Sequence, residues 1–445
     1  MLAGTTSGVG KTSISAAIIY GIKKKGYKVR SFKVGPDFID PSYLTSVSGS
    51  PSRNLDPWLM GNKGVMSSFV KNSNTGFSVI EGVMGFYDGF SGNSNFSSTH
   101  HVATILKAPV ILVLDVSKAA RSVAATALGF IKFHKNSRIR GLILNKIGSK
   151  KHEEICREAL AKFNLPIIGA IHSNPDLTLK SRHLGLVPLK EQKSLQHKIR
   201  KIAKSISDLI DVDKIIQVGN DTPQLARISS ENKAKRKTKI AVALDESFNF
   251  YYQDNLDALR KEGATIDYFS PVSDSELPEC DGLYIGGGFP EIIGESLEKN
   301  QSMQKAIKKM AESGMPIYAE CGGLMYLTRS IIYDSTKFKM IGLFDVTTKM
   351  RKKLKLNYTK ATVSRNCLIS KAHKIIQGHE FHFSELESLP KDCKFAYDLS
   401  IGVGITNKKD GLIEYNTLAS YMHMHFIRPG FAKNFVQSCL KYSRS

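Results

Sequence analysis

The sequence predicts an α/β protein of two doubly wound domains, each a sheet flanked by helices. Three observations predict it. Short apolar runs alternate with helix-like stretches over the first 220 residues, the pattern of parallel strands joined by crossover helices. The composition then shifts, with five of the seven residues from Lys233 to Lys239 being Lys or Arg. A second alternating pattern starts at Ile240. At roughly 100–200 residues per domain, a chain of 445 residues holds two such units comfortably. The expected division is a first domain over 1–225, a basic linker over 226–238 and a second domain over 239–445.

Composition narrows the class. With 42% hydrophobic and 23% charged residues, the chain has enough apolar surface to build cores and is neither disordered nor fibrous. No run approaches the ~18 apolar residues of a spanning helix, and the N-terminus lacks a basic-then-apolar signal pattern. The expected setting is the cytoplasm, away from membrane. Six cysteines, Cys156, Cys280, Cys321, Cys367, Cys393 and Cys439, show no Cys-x-x-Cys spacing, which argues against a zinc knuckle and a disulfide framework. The net charge of +23 suits a polyanionic partner, but the excess is spread along the chain without aromatic interleaving, so nucleic acid is not expected.

In the first domain the strand candidates are Val29–Val34, Ser78–Glu81, Val110–Asp115, Gly141–Asn145 and Ile167–Ile171. Several end in a polar residue, and doubly wound sheets bind ligands at that edge. Before them stands Gly4-Thr5-Thr6-Ser7-Gly8-Val9-Gly10-Lys11-Thr12, opening the apolar helix Ser13–Ile22. Such a loop aims backbone N–H groups and a helix N-terminus at a phosphate chain. Gly8 and Gly10 shape the ATP cradle, Lys11 reaches the terminal phosphates and Thr12 holds Mg2+. The strict pattern has glycine where Thr5 stands; here it lies one residue earlier, at Gly4. Only Met1–Ala3 precede the loop, against about five residues in a usual strand. That shortage predicts either a truncated start or an initiator upstream.

Acidic groups follow at the next strand ends. Lys33-Val34-Gly35-Pro36-Asp37-Phe38-Ile39-Asp40-Pro41 places Asp37 and Asp40 three apart, and Glu81-Gly82-Val83-Met84-Gly85-Phe86-Tyr87-Asp88-Gly89 puts Glu81 in the Walker B position. Carboxylates beside a triphosphate are useful as ligands of magnesium or of its water. Asn145, closing its strand, is a candidate to read the nucleotide base or an ordinary turn residue.

The second domain has strand candidates at Ile240–Leu244, Gly282–Ile285, Pro316–Ala319, around Met340–Asp345 and at Ile401–Ile405. Pro316-Ile317-Tyr318-Ala319 followed by Glu320-Cys321-Gly322-Gly323-Leu324 reads as strand, sharp turn and helix, the geometry that presents a nucleophile. A helix N-terminus lowers a thiol pKa, so Cys321 is the nucleophile candidate. Gly286-Gly287-Gly288-Phe289-Pro290-Glu291 and Gly322 offer backbone N–H groups for an oxyanion, with Gly287, Gly288 and Gly322 as its donors. Ser420-Tyr421-Met422-His423-Met424-His425-Phe426 supplies a base, His423. A His-x-His pair also suits zinc, but no third ligand is evident. His379 and His382, in Gly378-His379-Glu380-Phe381-His382-Phe383-Ser384, touch substrate or are buried and hydrogen-bonded. His100 and His101 read as structural.

Taken together, the chain resembles the cobyrinate a,c-diamide synthases and their relatives, the nickel-sirohydrochlorin a,c-diamide synthases. The carriers are Gly4–Thr12, Gly35–Pro41, Glu81–Gly89, Arg182-His183-Leu184-Gly185-Leu186-Val187, Gly286–Glu291, Glu320–Gly323, Gly378–Ser384 and Tyr421-Met422-His423. The resemblance implies a P-loop, dethiobiotin-synthetase-like ATPase domain joined to a class I, flavodoxin-like glutamine amidotransferase domain. It implies amidation of two acetate side chains of a tetrapyrrole polycarboxylate, with ATP and glutamine as substrates, Mg2+ as cofactor and a homodimer as an admitted assembly. By the same resemblance Cys321 is the glutaminase nucleophile and His423 activates it. Thr12, Asp40 and Glu81 serve the metal, and Asp37 and Asp88 the substrate or its phosphorylated intermediate. The glutamate that many class I amidotransferases carry two places after the histidine is His425 here, which leaves the third triad member open. The nickel-tetrapyrrole reading stays open beside the corrinoid one. A cobyrate synthase that amidates four other side chains conflicts with the order of motifs. A partitioning-type ATPase switch fits neither Cys321 with His423 nor Thr6, where that class has a second lysine.

Overall fold

The computed structural model describes residues 1–73, 76–177, 189–223, 225 and 237–445. The expected linker, up to residue 236, and the Arg182–Val187 motif lie outside the described residues. Two compact units form, the second built from the described residues from 237 onward.

The first unit holds β1 (Leu2–Gly4), β2 (Val29–Val34), β3 (Arg53–Leu55), β4 (Phe77–Glu81), β5 (Val110–Asp115), β6 (Ile139–Ile147) and β7 (Ile167–His172). They make one seven-stranded sheet in the order β3-β2-β4-β1-β5-β6-β7, parallel throughout. All five strand candidates of this half are present. Short as it is, β1 lies at the centre: Leu2, Ala3 and Gly4 pair with Ile111, Leu112 and Val113, and Leu2 pairs with Glu81 on the other side. All three are buried, and both neighbouring strands supply ladder partners. The helix Lys11–Lys24 follows the loop and buries Ile14, Ile18 and Ile22, one face at four-residue spacing. That face packs with Val29, Val79 and Ile143 in the core on its side of the sheet.

The second unit starts like the first and ends differently. It contains β8 (Thr238–Ala243), β9 (Phe248–Phe250), β10 (Ala264–Phe269), β11 (Gly282–Ile285), β12 (Gly287–Gly288), β13 (Ile317–Glu320), β14 (Thr328–Tyr333) and β15 (Thr336–Lys339). These are followed by β16 (Phe344–Val363), β17 (Ile375–Glu387), β18 (Lys394–Ile401), β19 (Lys409–Glu414), β20 (Thr417–Ser420) and β21 (Met422–Met424). The strands β10-β8-β11-β13-β20 run parallel. Beyond β20 the sheet continues antiparallel through β19, β18 and β16, and β17 lies between β16 and β21. Two expectations shift here. The strand sought around Met340–Asp345 begins only at Phe344 and runs 20 residues. The one sought at Ile401–Ile405 ends at Ile401, because Gly402 and Gly404 take positive φ of 111° and 69° and turn the chain.

Candidate active site

The first site lies at the C-terminal edge of the seven-stranded sheet, where β1, β2, β4 and β6 all end. Gly10 opens the helix Lys11–Lys24 in the left-handed region, φ 94°. A side chain there would be strained and would also strike the Asn145 amide. Asn145 Nδ2 donates to the Val9 carbonyl at 2.8 Å, and Lys146 Nζ donates to the Gly8 carbonyl at 3.1 Å. The end of β6 thus braces the loop, which is the contact the structure gives Asn145. Lys11 folds back across the turn, its Nζ donating to Thr6 O at 3.1 Å and Met84 O at 2.6 Å. Burial, with the nearby Lys33 charge, lowers its pKa to about 8.

Around Glu81 the charges are densely packed. Thr12 Oγ1 donates to Glu81 Oε1 at 2.9 Å. Lys33, to which sequence reasoning assigned no role, is buried with Nζ 2.8 Å from Glu81 Oε1, 2.5 Å from Asp40 Oδ2 and 3.7 Å from Asp37 Oδ2. One cation faces three carboxylates. Burial pushes Glu81 up to about 7 against the pull of Lys33, and burial with the Asp40 charge pushes Asp37 up to about 6. For Asp40 burial acts upward too, but the ion pair and hydrogen bond to Lys33 win and hold it below the usual range. Asp37 Oδ1 also accepts from the N–H groups of Ile39 and Asp40, capping the helix Ile39–Ser48. Asp88 sits in the exposed turn after β4, its Oδ2 accepting from Gly85 N at 2.9 Å.

The residues present fit a magnesium ion. Glu81 Oε2 is buried and has no hydrogen-bond partner among the described residues, and the Thr12 hydroxyl is bonded to the same carboxylate. Magnesium beside a triphosphate needs only one or two protein oxygens, with phosphate and water completing its shell. No group of three or more His, Cys, Asp or Glu that could hold a metal ion occurs among the described residues.

The second site lies at the corresponding edge of the other sheet, after β11, β13 and β20. Cys321 follows β13 with φ 48° and ψ −99°, a strained conformation for a residue with a side chain and one typical of a nucleophile turn. Its N–H donates to Ser420 O at 2.7 Å, and Gly323 N–H donates to Gly286 O at 3.0 Å. These two bonds draw the turn, the end of β20 and the triglycine segment together. Gly288, paired with Phe248, has φ 154°, and a Cβ there would collide with the Ser247 carbonyl. A Cβ on Gly322 would lie 3.0 Å from Gly288 N, and one on Gly287 would lie 2.6 Å from His423 Cε1. Cys321, the three glycines and His423 are therefore one constellation.

The thiol departs from expectation. Cys321 is buried, and burial, reinforced by the Glu291 carboxylate, pushes its pKa far above the ordinary thiol value instead of lowering it. The helix Gly322–Leu327 has only six residues, too weak a dipole to offset complete desolvation. In this state Cys321 Sγ donates to the Phe381 carbonyl at 3.4 Å. Glu291, within the triglycine motif yet not singled out, is buried and raised by that burial to about 7.

The histidines separate by role. His423 Nδ1 lies 3.4 Å from Glu320 Oε2, both side chains fully enclosed. His379, opposite it in the β17–β21 ladder, stacks on it at 4.9 Å between centroids, and its Nε2 contacts Tyr252 Oη at 2.6 Å. His382 stacks on Tyr421 at 3.7 Å. His425 packs against the Tyr252 ring, 3.9 Å from Asp254. His100 and His101 lie on helix Thr99–Leu106 of the first unit, His100 among Phe86, Tyr87 and His134.

Comparison with known proteins agrees with this division. Residues 1–187 match the CobQ/CobB/MinD/ParA nucleotide binding domain, and residues 239–431 match the CobB/CobQ-like glutamine amidotransferase domain. A cobyrinate a,c-diamide synthase of Dehalococcoides mccartyi is 44% identical over 98% of this chain and 97% of its own length. Those of Methanosarcina barkeri and Methanosphaera stadtmanae are 40% and 42% identical, covering 100% and 98% of this chain and 96% and 98% of their own lengths. No helix among the described residues is long and apolar enough to cross a membrane. The chain therefore belongs to the cobyrinate a,c-diamide synthase family and is a ligase that takes its amide nitrogen from glutamine.

Proposed function

We propose that the chain amidates the a and c acetate carboxylates of cobyrinate in cobalamin biosynthesis, activating each as an acyl phosphate with ATP. In this reading residues 1–225 bind ATP and the tetrapyrrole, and 239–445 release ammonia from glutamine. The observation that carries it is the pairing, in one chain, of a phosphate loop tied to Glu81 through Thr12 with a strained, buried cysteine whose turn packs on the triglycine segment that His423 also abuts. Neither half alone makes an amide: one supplies an activated carboxylate, the other the nitrogen. The near full-length relatives named for cobyrinate favour that substrate over the nickel tetrapyrrole.

At the first site the loop N–H groups and Lys11 cradle the triphosphate. Thr12 and Glu81, with Asp40 nearby, hold Mg2+, which when bound offsets the charge on the phosphates. Lys11 stabilises charge on the phosphoryl group as it passes to the substrate carboxylate. Asp37 and Asp88 position the substrate or its phosphorylated form, and Asn145 keeps the loop in register with the nucleotide. At the second site His423 accepts the Cys321 proton as sulfur attacks the glutamine amide carbon, and the N–H groups of Gly287, Gly288 and Gly322 receive the oxyanion. Because burial opposes a free thiolate, proton transfer accompanies attack.

Two variants test the division of labour. Cys321→Ser is expected to abolish glutamine-dependent synthesis and keep ammonia-dependent synthesis within about threefold. Lys11→Ala is expected to lower both by roughly 10³-fold or more, since it removes charge from the phosphoryl transfer itself. Ammonia-dependent amidation that survives Lys11→Ala, or disappears in folded Cys321→Ser, would sink the assignment.

A further inference from the structure

We propose that Glu320, the residue immediately before the nucleophile, is the third member of the glutaminase triad and positions His423. This rests on the reading of Cys321 and His423 given above. The place where related enzymes carry a glutamate is His425, and its ring lies against Tyr252 with Nε2 3.9 Å from Asp254, an outward-lying partner. No acid reaches His423 from that position in sequence.

An acid reaches it from another strand. Glu320 ends β13, paired with Ser420 of β20, and its Oε2 stands 3.4 Å from His423 Nδ1 with both side chains almost wholly buried. Three other donors fix that carboxylate. Tyr318 Oη donates to Oε1 at 2.6 Å, Tyr284 Oη to Oε2 at 3.1 Å and Met424 N–H to Oε1 at 2.9 Å. Tyr284 and Tyr318 are themselves fully buried in the core beneath the site. The carboxylate therefore has no freedom to follow solvent, and its Met424 contact ties the strand that bears His423 to the end of β13, immediately before Cys321.

This arrangement does for the imidazole what an orienting acid does in any nucleophile–base pair. An acceptor at Nδ1 places the ring N–H there and leaves Nε2 to take the thiol proton, and the anion then stabilises the imidazolium that forms. Nε2 faces the triglycine side, 3.4 Å from where a Gly287 Cβ would lie, the side on which the oxyanion donors gather. Nδ1 toward Glu320 and Nε2 toward the reaction is the orientation the chemistry requires. Asp410 offers no competing acid, since its oxygens accept from the backbone N–H groups of Gly411, Tyr421 and Met422.

The test is Glu320→Gln, which keeps size and hydrogen-bonding capacity and removes the charge. Glutamine kcat is expected to fall by about 10²–10⁴-fold, with ammonia-dependent synthesis kept within about twofold. KM for glutamine is expected to change by less than about twofold, so that the loss falls on kcat alone. In a His423→Gln background the same change is expected to cost less than about threefold, because the residue acts through the ring. His425→Gln serves as the contrast and is expected to retain glutamine kcat. Retained glutamine kcat in Glu320→Gln overturns the proposal while leaving Cys321 as nucleophile, which Cys321→Ser tests separately. Should Glu320→Gln lose ammonia-dependent synthesis through misfolding, Glu320→Asp decides. A fall of tenfold or more in glutamine kcat alone supports the role, and no fall rejects it.

Discussion

Asp410 is buried at the corner where β20 turns into β21, and three backbone N–H groups point at it. Those donors favour the carboxylate, yet burial outweighs them and raises its pKa to about 7, with the Glu380 charge adding to the rise. Between about pH 4, where an unfolded aspartate titrates, and pH 7, the folded chain holds a proton that the unfolded chain has released. Stability from this residue is therefore fully present at the acidic end of that window and is lost as pH rises through 7. At ~1.4 kcal/mol per pKa unit the effect is at most a few kcal/mol. Comparing the melting of wild type and Asp410→Asn from pH 5 to 8 checks it: the advantage of wild type is expected to shrink with rising pH, and a constant difference would refute the argument. Asp410 was illegible in sequence because nothing near it forms a motif. Lys33 and Glu320 were hidden differently. Both stand inside quoted motifs, but a lysine at a strand end reads as solvated, and a glutamate beside a cysteine reads as a neighbour until the strand pairing shows what it faces. The sharp turn at Cys321 was visible from its glycines, while the direction of the thiol's pKa was not, because a helix start in sequence says nothing about how long the helix is or how dry its first residue lies.

The short antiparallel pair β9–β12 borders the second site. Gly288 is bonded into it with a positive φ, and its Cα hydrogen faces the Ser247 carbonyl where any Cβ would collide. In Gly288→Ala the Cβ would stand 1.9 Å from the Ser247 carbonyl oxygen, so the backbone must move by about an ångström or more, and the neighbour is main chain, which cannot swing aside. The expected result is loss of glutamine-dependent synthesis by 10²-fold or more, since the proposed oxyanion donors move, with destabilisation of about 1–3 kcal/mol. Ammonia-dependent synthesis is expected to persist. Full glutamine activity in this variant would show that the segment tolerates displacement and does not hold the oxyanion. Most of the parallel strands were legible because buried apolar runs stand out, as at Val110–Asp115 and Gly282–Ile285, while Arg53–Leu55, Ala264–Phe269 and Thr417–Ser420, shorter or more polar, were not. The long hairpin β16–β17 was not. Its strand Phe344–Val363 carries Lys349, Arg351, Lys352, Lys353 and Lys355, and ion pairs from Arg351 and Lys355 to Glu385 across the ladder hold together a sequence that reads as a charged loop.

At the scale of the whole chain, the charge of +23 has a measurable consequence if the substrate is a polycarboxylate. Surface charges attract an anion over about 10 Å at 0.1 M salt and over much less at 1 M. The KM for the tetrapyrrole is therefore expected to rise severalfold between 0.05 and 0.5 M KCl, while that for glutamine, a zwitterion, is expected to change by less than twofold. Equal salt dependence for both would show that the basic surface plays no part in capture. The two α/β units were legible in the alternation of apolar runs with helix-like stretches, a pattern that reports fold class more directly than it reports contacts. All six thiols of the chain are free, and each has its pKa raised, with burial the first cause. Peroxide attacks thiolates. A resting molecule with every thiol protonated is therefore a poor target for thiol oxidation, and if Cys321 gives up its proton only as its sulfur bonds to the glutamine carbon, as proposed above, turnover exposes no free thiolate to peroxide either.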